Sequence, residues 1–230
     1  MIILLWLFLG FVAGWLVNLA ADLLPPRLPL RTYWYTPLWH LKHAFKPQPS
    51  LHSELSPRPI RTLVVWAIAV ILSITVSIQI GSAIVALIVA SYGWFLLAIA
   101  IIDLEHQLVL NRMLLASLPL VGFIILTAGM PRLTSALLGA AVGFGSFLIL
   151  ALLWPGGIGM GDVKLAGWIG LVVGYPAIIP ALAIGVIVGG LAALIVLVAH
   201  RFRRGLAFAY APYLAFGAWC TLLLGASNLA

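Results

Sequence analysis

Long runs of apolar residues alternate with short polar breaks along this chain. A helix of about 20 apolar residues crosses a bilayer, and eight segments of roughly that kind can be drawn. The sixth is the shortest, and Pro176 separates it from the seventh because proline breaks a helix interior. The segments cover residues 2–24, 61–79, 82–102, 112–129, 132–154, 163–175, 177–199 and 206–227. The pattern therefore predicts an all-α, polytopic transmembrane helical bundle of about eight spans.

Composition supports a membrane protein and excludes a water-exposed globule. Hydrophobic residues make up 64% of the chain and charged residues 7%, whereas soluble domains carry about 25% charged residues. The net charge of +7 is explained by basic residues that orient membrane helices, so we predict no nucleic-acid partner. We expect one membrane domain over residues 1–230, and the sequence leaves the oligomeric state open.

The polar breaks divide the lysines and arginines very unevenly. Eleven lie in or beside the breaks on one side of the predicted membrane, and only Arg132 lies on the other. Basic residues concentrate in cytoplasmic loops, so the basic side is predicted to be cytoplasmic. The longest break, 25–61, contains no cysteine and no periodic pattern. It predicts an irregular cytoplasmic loop without a cysteine zinc motif, in which His40, His43 and His52 are interfacial rather than metal ligands.

Two of the five acidic residues occupy matching positions at the predicted cytoplasmic border. Asp103 ends the third segment, and Asp162 begins the sixth, 59 residues later. Acids near spans are costly and require a reason. If two helical hairpins bring these carboxylates together, they share a proton. One then activates a water molecule and the other protonates the leaving group. This pair predicts aspartic proteolysis.

The residues around Asp162 suggest how a peptide could reach it. Gly159 and Gly161 lack side chains and so permit close backbone approach, which suits an extended substrate. Lys164 is predicted to tune or pair with Asp162. Glycine-rich segments are also common where membrane helices simply turn or pack, so Gly-x-Gly-Asp alone is a weak signal.

The polar residues after Asp103 allow two interpretations. Glu105, His106 and Asn111 either orient the aspartate or contact substrate, or they belong to a solvated turn. Their spacing matches no common zinc pattern, and we predict no metal site. Asp22 is expected to be solvated at the interface or paired with Arg27 at a helix end.

Four short motifs in order resemble those of type IV prepilin leader peptidases. Residues 14–18, followed by Pro25, resemble the Gly-x-x-x-Asn motif of that family. Residues 103–107, continuing to Asn111, resemble the segment with its first catalytic aspartate. Residues 159–165 resemble its Gly-x-Gly-Asp-x-Lys-Leu motif, and residues 211–218 its closing Pro-Phe-Leu-Ala-x-Gly segment.

The resemblance implies an endopeptidase with Asp103 and Asp162 as catalytic residues. Such enzymes lie in the bacterial inner membrane and cut a short basic leader from prepilins or type II secretion pseudopilins at the cytoplasmic face. The expected partners are therefore a prepilin substrate and membrane lipid.

Two departures from the family pattern limit what the resemblance implies. Many members carry two Cys-x-x-Cys pairs in the first loop, but 25–61 has none, so no zinc is expected. This divergence leaves N-methylation of the new N-terminus with S-adenosylmethionine open. Leu110 stands where proline is frequent.

Three other functions remain as alternatives. Border aspartates could bind ions in an ion or solute transporter, although few polar residues lie deep in the segments. The chain could also be a catalytically silent membrane scaffold, or a methyltransferase without peptidase activity.

Overall fold

The computed structural model describes residues 2–25, 59–154, 157–199 and 209–227, which form eight α-helices and no strands. The helices are α1 (Ile2–Leu23), α2 (Pro59–Gln79), α3 (Ala83–His106), α4 (Asn111–Ala128), α5 (Leu133–Leu153), α6 (Met160–Val173), α7 (Ile178–Ala199) and α8 (Ala211–Ser227). The predicted all-α, polytopic bundle is confirmed. Six helices are long and apolar enough to cross a membrane, whereas α6 and α8 are shorter. Most of the predicted loop 25–61 lies outside the described residues.

Helix α3 continues one turn further than the apolar pattern predicted. The segment was expected to end at residue 102, but the helix reaches His106. Gln107 then takes a left-handed conformation (φ 53°), and its N–H donates to the carbonyl oxygen of Asp103 at 2.7 Å. The polar residues stay helical because backbone hydrogen bonds continue where the apolar run stops. Asp103 and Glu105 therefore lie on a helix rather than in a loop.

The helices pack largely as sequential pairs around α3 and α8. Helix α1 packs on α2, α5 on α6, and α7 on α8, while α8 also contacts α3 and α6. In α3, 61% of the most apolar 18-residue window is buried, against 22–33% in the other five candidate spans. Helix α3 is therefore central, and the outer helices expose apolar side chains as lipid-facing helices do.

The α5–α6 pair is held at very short range by glycines. A Cβ atom on Gly139 would collide with the backbone of Gly170, and one on Gly170 would collide with Gly139. One turn further along α5, Gly143 meets the backbone of Ala166 in the same way. Small residues permit such contact between membrane helices. This packing fixes the position of the helix that begins beside Asp162.

Candidate active site

Asp103 lies in the last turns of α3 and is only 5% exposed. Its Oδ2 accepts a hydrogen bond from the backbone N–H of Ala211 at 3.0 Å, and the backbone of Tyr210 also donates to its carboxylate. Ala211 is the first residue of α8, where backbone N–H groups lack partners within the helix. Asp103 therefore caps α8, and the positive end of the helix dipole favours its negative charge.

Asp162 occupies the equivalent position at the start of α6. It is the third residue of the helix, after the N-cap Gly159, and its carboxylate accepts a hydrogen bond from the Gly159 backbone. An acidic side chain that reaches back to the N-cap in this way is half of a capping box. Burial, and next the negative charge of Asp103, raise the pKa of Asp162. Asp162 therefore keeps its proton to a higher pH than an ordinary aspartate.

The start of α8 brings the two carboxylates into one neighbourhood. The backbone of Tyr210 binds Asp103, and the side chain of Tyr210 lies close enough to Asp162 to interact with its charge. Burial, and next this charge, raise the pKa of Tyr210. Asp103 and Asp162 are thus within electrostatic reach of each other, although 59 residues separate them in sequence.

The glycines beside Asp162 make room for neighbouring side chains of the protein itself. A Cβ on Gly161 would lie 2.9 Å from the Cβ of Val109 in the turn between α3 and α4. At Gly159 an added Cβ would lie 3.4 Å from Oδ2 of Asp162. Gly161 therefore lets the α6 start approach the turn that follows Asp103. A role for either glycine in holding substrate stays a prediction.

Lys164 does not pair with Asp162, contrary to the prediction. Its Nζ donates to Oδ1 of Asn111 at 3.0 Å, which links α6 to the start of α4. The reason is helical geometry: residues two apart project about 200° apart around the axis. Lys164 and Asp162 therefore point from nearly opposite sides of α6.

Arg61 is a residue that the sequence did not single out. Its guanidinium binds Asp22 through two hydrogen bonds of 2.7 and 2.9 Å and also reaches Glu105 Oε2 at 3.2 Å. Arg61 therefore joins α1, α2 and α3, and its contact on α3, Glu105, lies two residues after Asp103. No local pattern could reveal this cluster, because 39 and 44 residues separate the partners.

This cluster revises two predictions. Asp22 binds Arg61, whereas its predicted partner Arg27 lies outside the described residues. Glu105 lies against Arg61 with 16% of its side chain exposed, so it is not part of a freely solvated turn. His106 is more exposed, and its Nε2 lies 3.9 Å from Glu105 Oε2. In the described ranges no three His, Cys, Asp or Glu side chains cluster so as to hold a metal ion.

A comparison with protein families bears directly on this site. Residues 90–194 match the type IV leader peptidase family, and this range contains both Asp103 and Asp162. The match covers just under half of the chain, and it confirms the resemblance to this family that the four motifs predicted.

Curated relatives point to the same family. The chain is 31% identical over 132 residues to a prepilin leader peptidase/N-methyltransferase of Bacillus subtilis, covering 57% of this chain and 53% of that protein. It is 31% identical over 169 residues to the protein of the same name from Pseudomonas putida, covering 69% and 58%. A Xanthomonas campestris relative of that name is 34% identical over 140 residues, covering 57% and 47%. The chain thus matches about half the length of these leader peptidase relatives, and no solved structure matches it.

Proposed function

We propose that this chain is an aspartic endopeptidase of the type IV leader peptidase family, with Asp103 and Asp162 as its catalytic pair. The observation that supports the proposal is that these two carboxylates, from α3 and α6, lie within electrostatic reach of each other near the start of α8. Two close carboxylates that share one proton are the arrangement that aspartic proteolysis needs.

The surroundings give each aspartate a different role. Asp103 accepts hydrogen bonds from backbone N–H groups at the start of α8, and we assign it the role of the general base that takes a proton from water. Asp162 retains its proton and donates it to the carbonyl oxygen as water attacks. Asp103 then passes its proton to the leaving amine, while Asp162 recovers its own from the tetrahedral intermediate. The pair thus returns to its starting state.

The proposed substrate is a prepilin or a type II secretion pseudopilin. The support is family membership, together with relatives that are named prepilin leader peptidases. We place the cleavage at the cytoplasmic face of the bacterial inner membrane. Both aspartates lie at helix ends on the side of the predicted topology where eleven of the twelve lysines and arginines lie in or beside the breaks, and such a side faces the cytoplasm.

S-adenosylmethionine does not fit the cavity described between α4, α5 and α6. Apart from Asn111 and Lys164, that cavity is lined by apolar side chains and a glycine. A methyl donor with an adenine, a ribose and a charged amino acid end requires several placed polar groups. We therefore derive no methylation step. The absence of cysteine in 25–61 likewise provides no thiolate ligand for zinc.

A cleavage assay with matched variants tests the proposal. The full chain is reconstituted with a prepilin from the same organism, and leader removal is compared for wild type, Asp103→Asn and Asp162→Asn. Asp22→Asn is the control, because it makes the same chemical change at the same end of the bundle. Wild type and Asp22→Asn are expected to cleave, whereas both other variants should lose at least 1,000-fold in rate, on the order expected for loss of a catalytic acid or base.

Each contrary result has a defined meaning. Cleavage by Asp103→Asn or Asp162→Asn at the wild-type rate would show that the catalytic pair is wrong. If folded wild type fails to cut, the peptidase proposal fails and the transporter or scaffold alternatives gain. Methyl transfer without cleavage would favour the methyltransferase alternative.

A further inference from the structure

An apolar groove runs between α4, α5 and α6, on the outside of the bundle. Its volume is about 460 Å³. Leu114 and Leu118 line it from α4, Phe144 from α5, and Trp168 and Leu171 from α6. Gly167 also lines the groove, and an added Cβ there would lie 3.1 Å from the Cβ of Phe144, so this glycine lets α5 and α6 pack closely beside the groove.

The groove lies on the other side of α6 from the proposed catalytic pair. Its α6 lining residues include Lys164, Gly167 and Leu171, which share one helix face at spacings of three and four. Asp162 projects about 200° away from Lys164 around the same helix. A peptide bond held at the two aspartates would therefore not lead directly into the groove.

The polar groups of the groove are confined to one end. Lys164 and Asn111 lie there, joined by their hydrogen bond, while the lining beyond them is apolar as far as Leu171. Lys164 is exposed, and it is the one charged side chain among the residues that line the groove. From Lys164 to Leu171 is seven residues, or about 10 Å along the helix. The groove thus presents one cation at one end and about 10 Å of apolar wall beyond it.

We propose that this groove binds an anionic phospholipid, with its phosphate at Lys164 and one acyl chain along the α4–α6 wall. Charge complementarity selects this occupant. A lysine at the predicted cytoplasmic end of a groove between membrane helices suits an anionic headgroup, and the apolar side chains beyond it suit an acyl chain. The headgroup would contact Lys164, whose link to Asn111 ties α6 to α4, so the lipid would stabilise the hairpin that carries Asp162.

Lipid binding can be measured without any cleavage assay. The full chain in detergent is titrated with phosphatidylglycerol or phosphatidylcholine, and retained lipid is measured by native mass spectrometry. Lys164→Gln removes the cation at the groove. Leu118→Trp, at an exposed rim position, fills the acyl path. Arg132→Gln is the matched control, because it removes an equal charge at the start of α5, on the opposite side of the predicted topology.

Wild type and Arg132→Gln are expected to retain phosphatidylglycerol about fivefold more strongly than phosphatidylcholine, the ratio that one surface cation supplies. Lys164→Gln should abolish the preference, and Leu118→Trp should reduce binding of both lipids. An undiminished preference in Lys164→Gln overturns the proposal, even if Leu118→Trp proves unstable. Equal retention of both lipids by wild type overturns it too. Displacement of the lipid by a prepilin's apolar segment would assign the groove to the substrate instead.

Discussion

Asp103 combines a structural contact with its proposed chemistry. Its carboxylate binds the first N–H group of α8, and the helix that it caps also brings Tyr210 towards Asp162. An amide at position 103 could keep one hydrogen-bond acceptor but would lose the negative charge. Asp103→Asn is therefore the variant that separates the charge from the side-chain shape.

The titration of Asp162 should depend on Asp103. Burial is the larger cause of its raised pKa, and the Asp103 charge is the second. Asp103→Asn should therefore move the Asp162 midpoint to lower pH, because the repulsion disappears, while burial keeps it above the ordinary value. Carboxyl ¹³C NMR can follow this in micelles, since the chain contains only Asp22, Asp103 and Asp162 as aspartates.

The raised pKa of Asp162 also predicts how the free energy of unfolding depends on pH. A carboxyl whose folded-state pKa is raised favours folding when protonated, and that contribution is lost as pH rises through the folded pKa. Wild-type stability should fall as pH rises from the ordinary aspartate pKa to the raised Asp162 midpoint and then level off, whereas Asp162→Asn should lack this fall. A midpoint that stays fixed or rises in Asp103→Asn would show that the two carboxylates do not interact.

The helix interfaces depend on groups whose partners are distant in sequence. The apolar pattern predicted the eight helices, and the four motifs predicted which aspartates to compare. Neither the pattern nor the motifs could predict that Asp103 caps α8, because the capping groups are backbone atoms 107 and 108 residues away in sequence. Nor could it predict the Arg61 cluster or the true partner of Lys164. Such contacts follow from how helices pack, which local periodicity does not specify.

The α5–α6 interface predicts a sharp contrast between two glycines. Gly170→Ala places a methyl group against the Gly139 backbone, which cannot yield as a flexible side chain can. We expect a loss of about 1–3 kcal/mol in the free energy of unfolding. Gly145→Ala on α5 meets nothing within 4 Å and should be neutral or slightly stabilising. Thermal unfolding followed by tryptophan fluorescence measures both, and equal stability of the two variants would contradict this packing.

The Arg61 cluster predicts coupling between α1, α2 and α3. Its side chain is 14% exposed and binds two carboxylates, so Arg61→Gln should cost about 1.5–3 kcal/mol, as for a hydrogen bond to a charged group. The exposed Arg132→Gln should cost little. Because Arg61 and Asp22 share their contact, the double variant Arg61→Gln/Asp22→Asn should lose less stability than the sum of the singles. Additive losses would show that the pair contributes nothing.

Across the whole molecule, the distribution of basic residues predicts the orientation in the membrane. Met160 begins α6 on the predicted cytoplasmic side, Ala128 ends α4 on the other side, and both are exposed. After the native cysteine is removed by Cys220→Ala, a single cysteine introduced at either position reports which side of the membrane it faces. In intact spheroplasts a membrane-impermeant maleimide should label Ala128→Cys and spare Met160→Cys, because the basic side faces inward. Both should react after permeabilisation. The reverse pattern would place the aspartates outside.

The Arg61–Asp22 pair also has a consequence for how the chain can vary. These residues stand at either end of the segment between α1 and α2, so one ion pair closes that segment at its base. Closing a longer loop costs only about 0.6 kcal/mol for each doubling of its length. The segment can therefore be shortened, extended or replaced by a foreign cassette while the two helices keep their positions. The segment between Asp22 and Arg61 is therefore a site where an inserted domain could be exchanged without changing how the membrane helices pack.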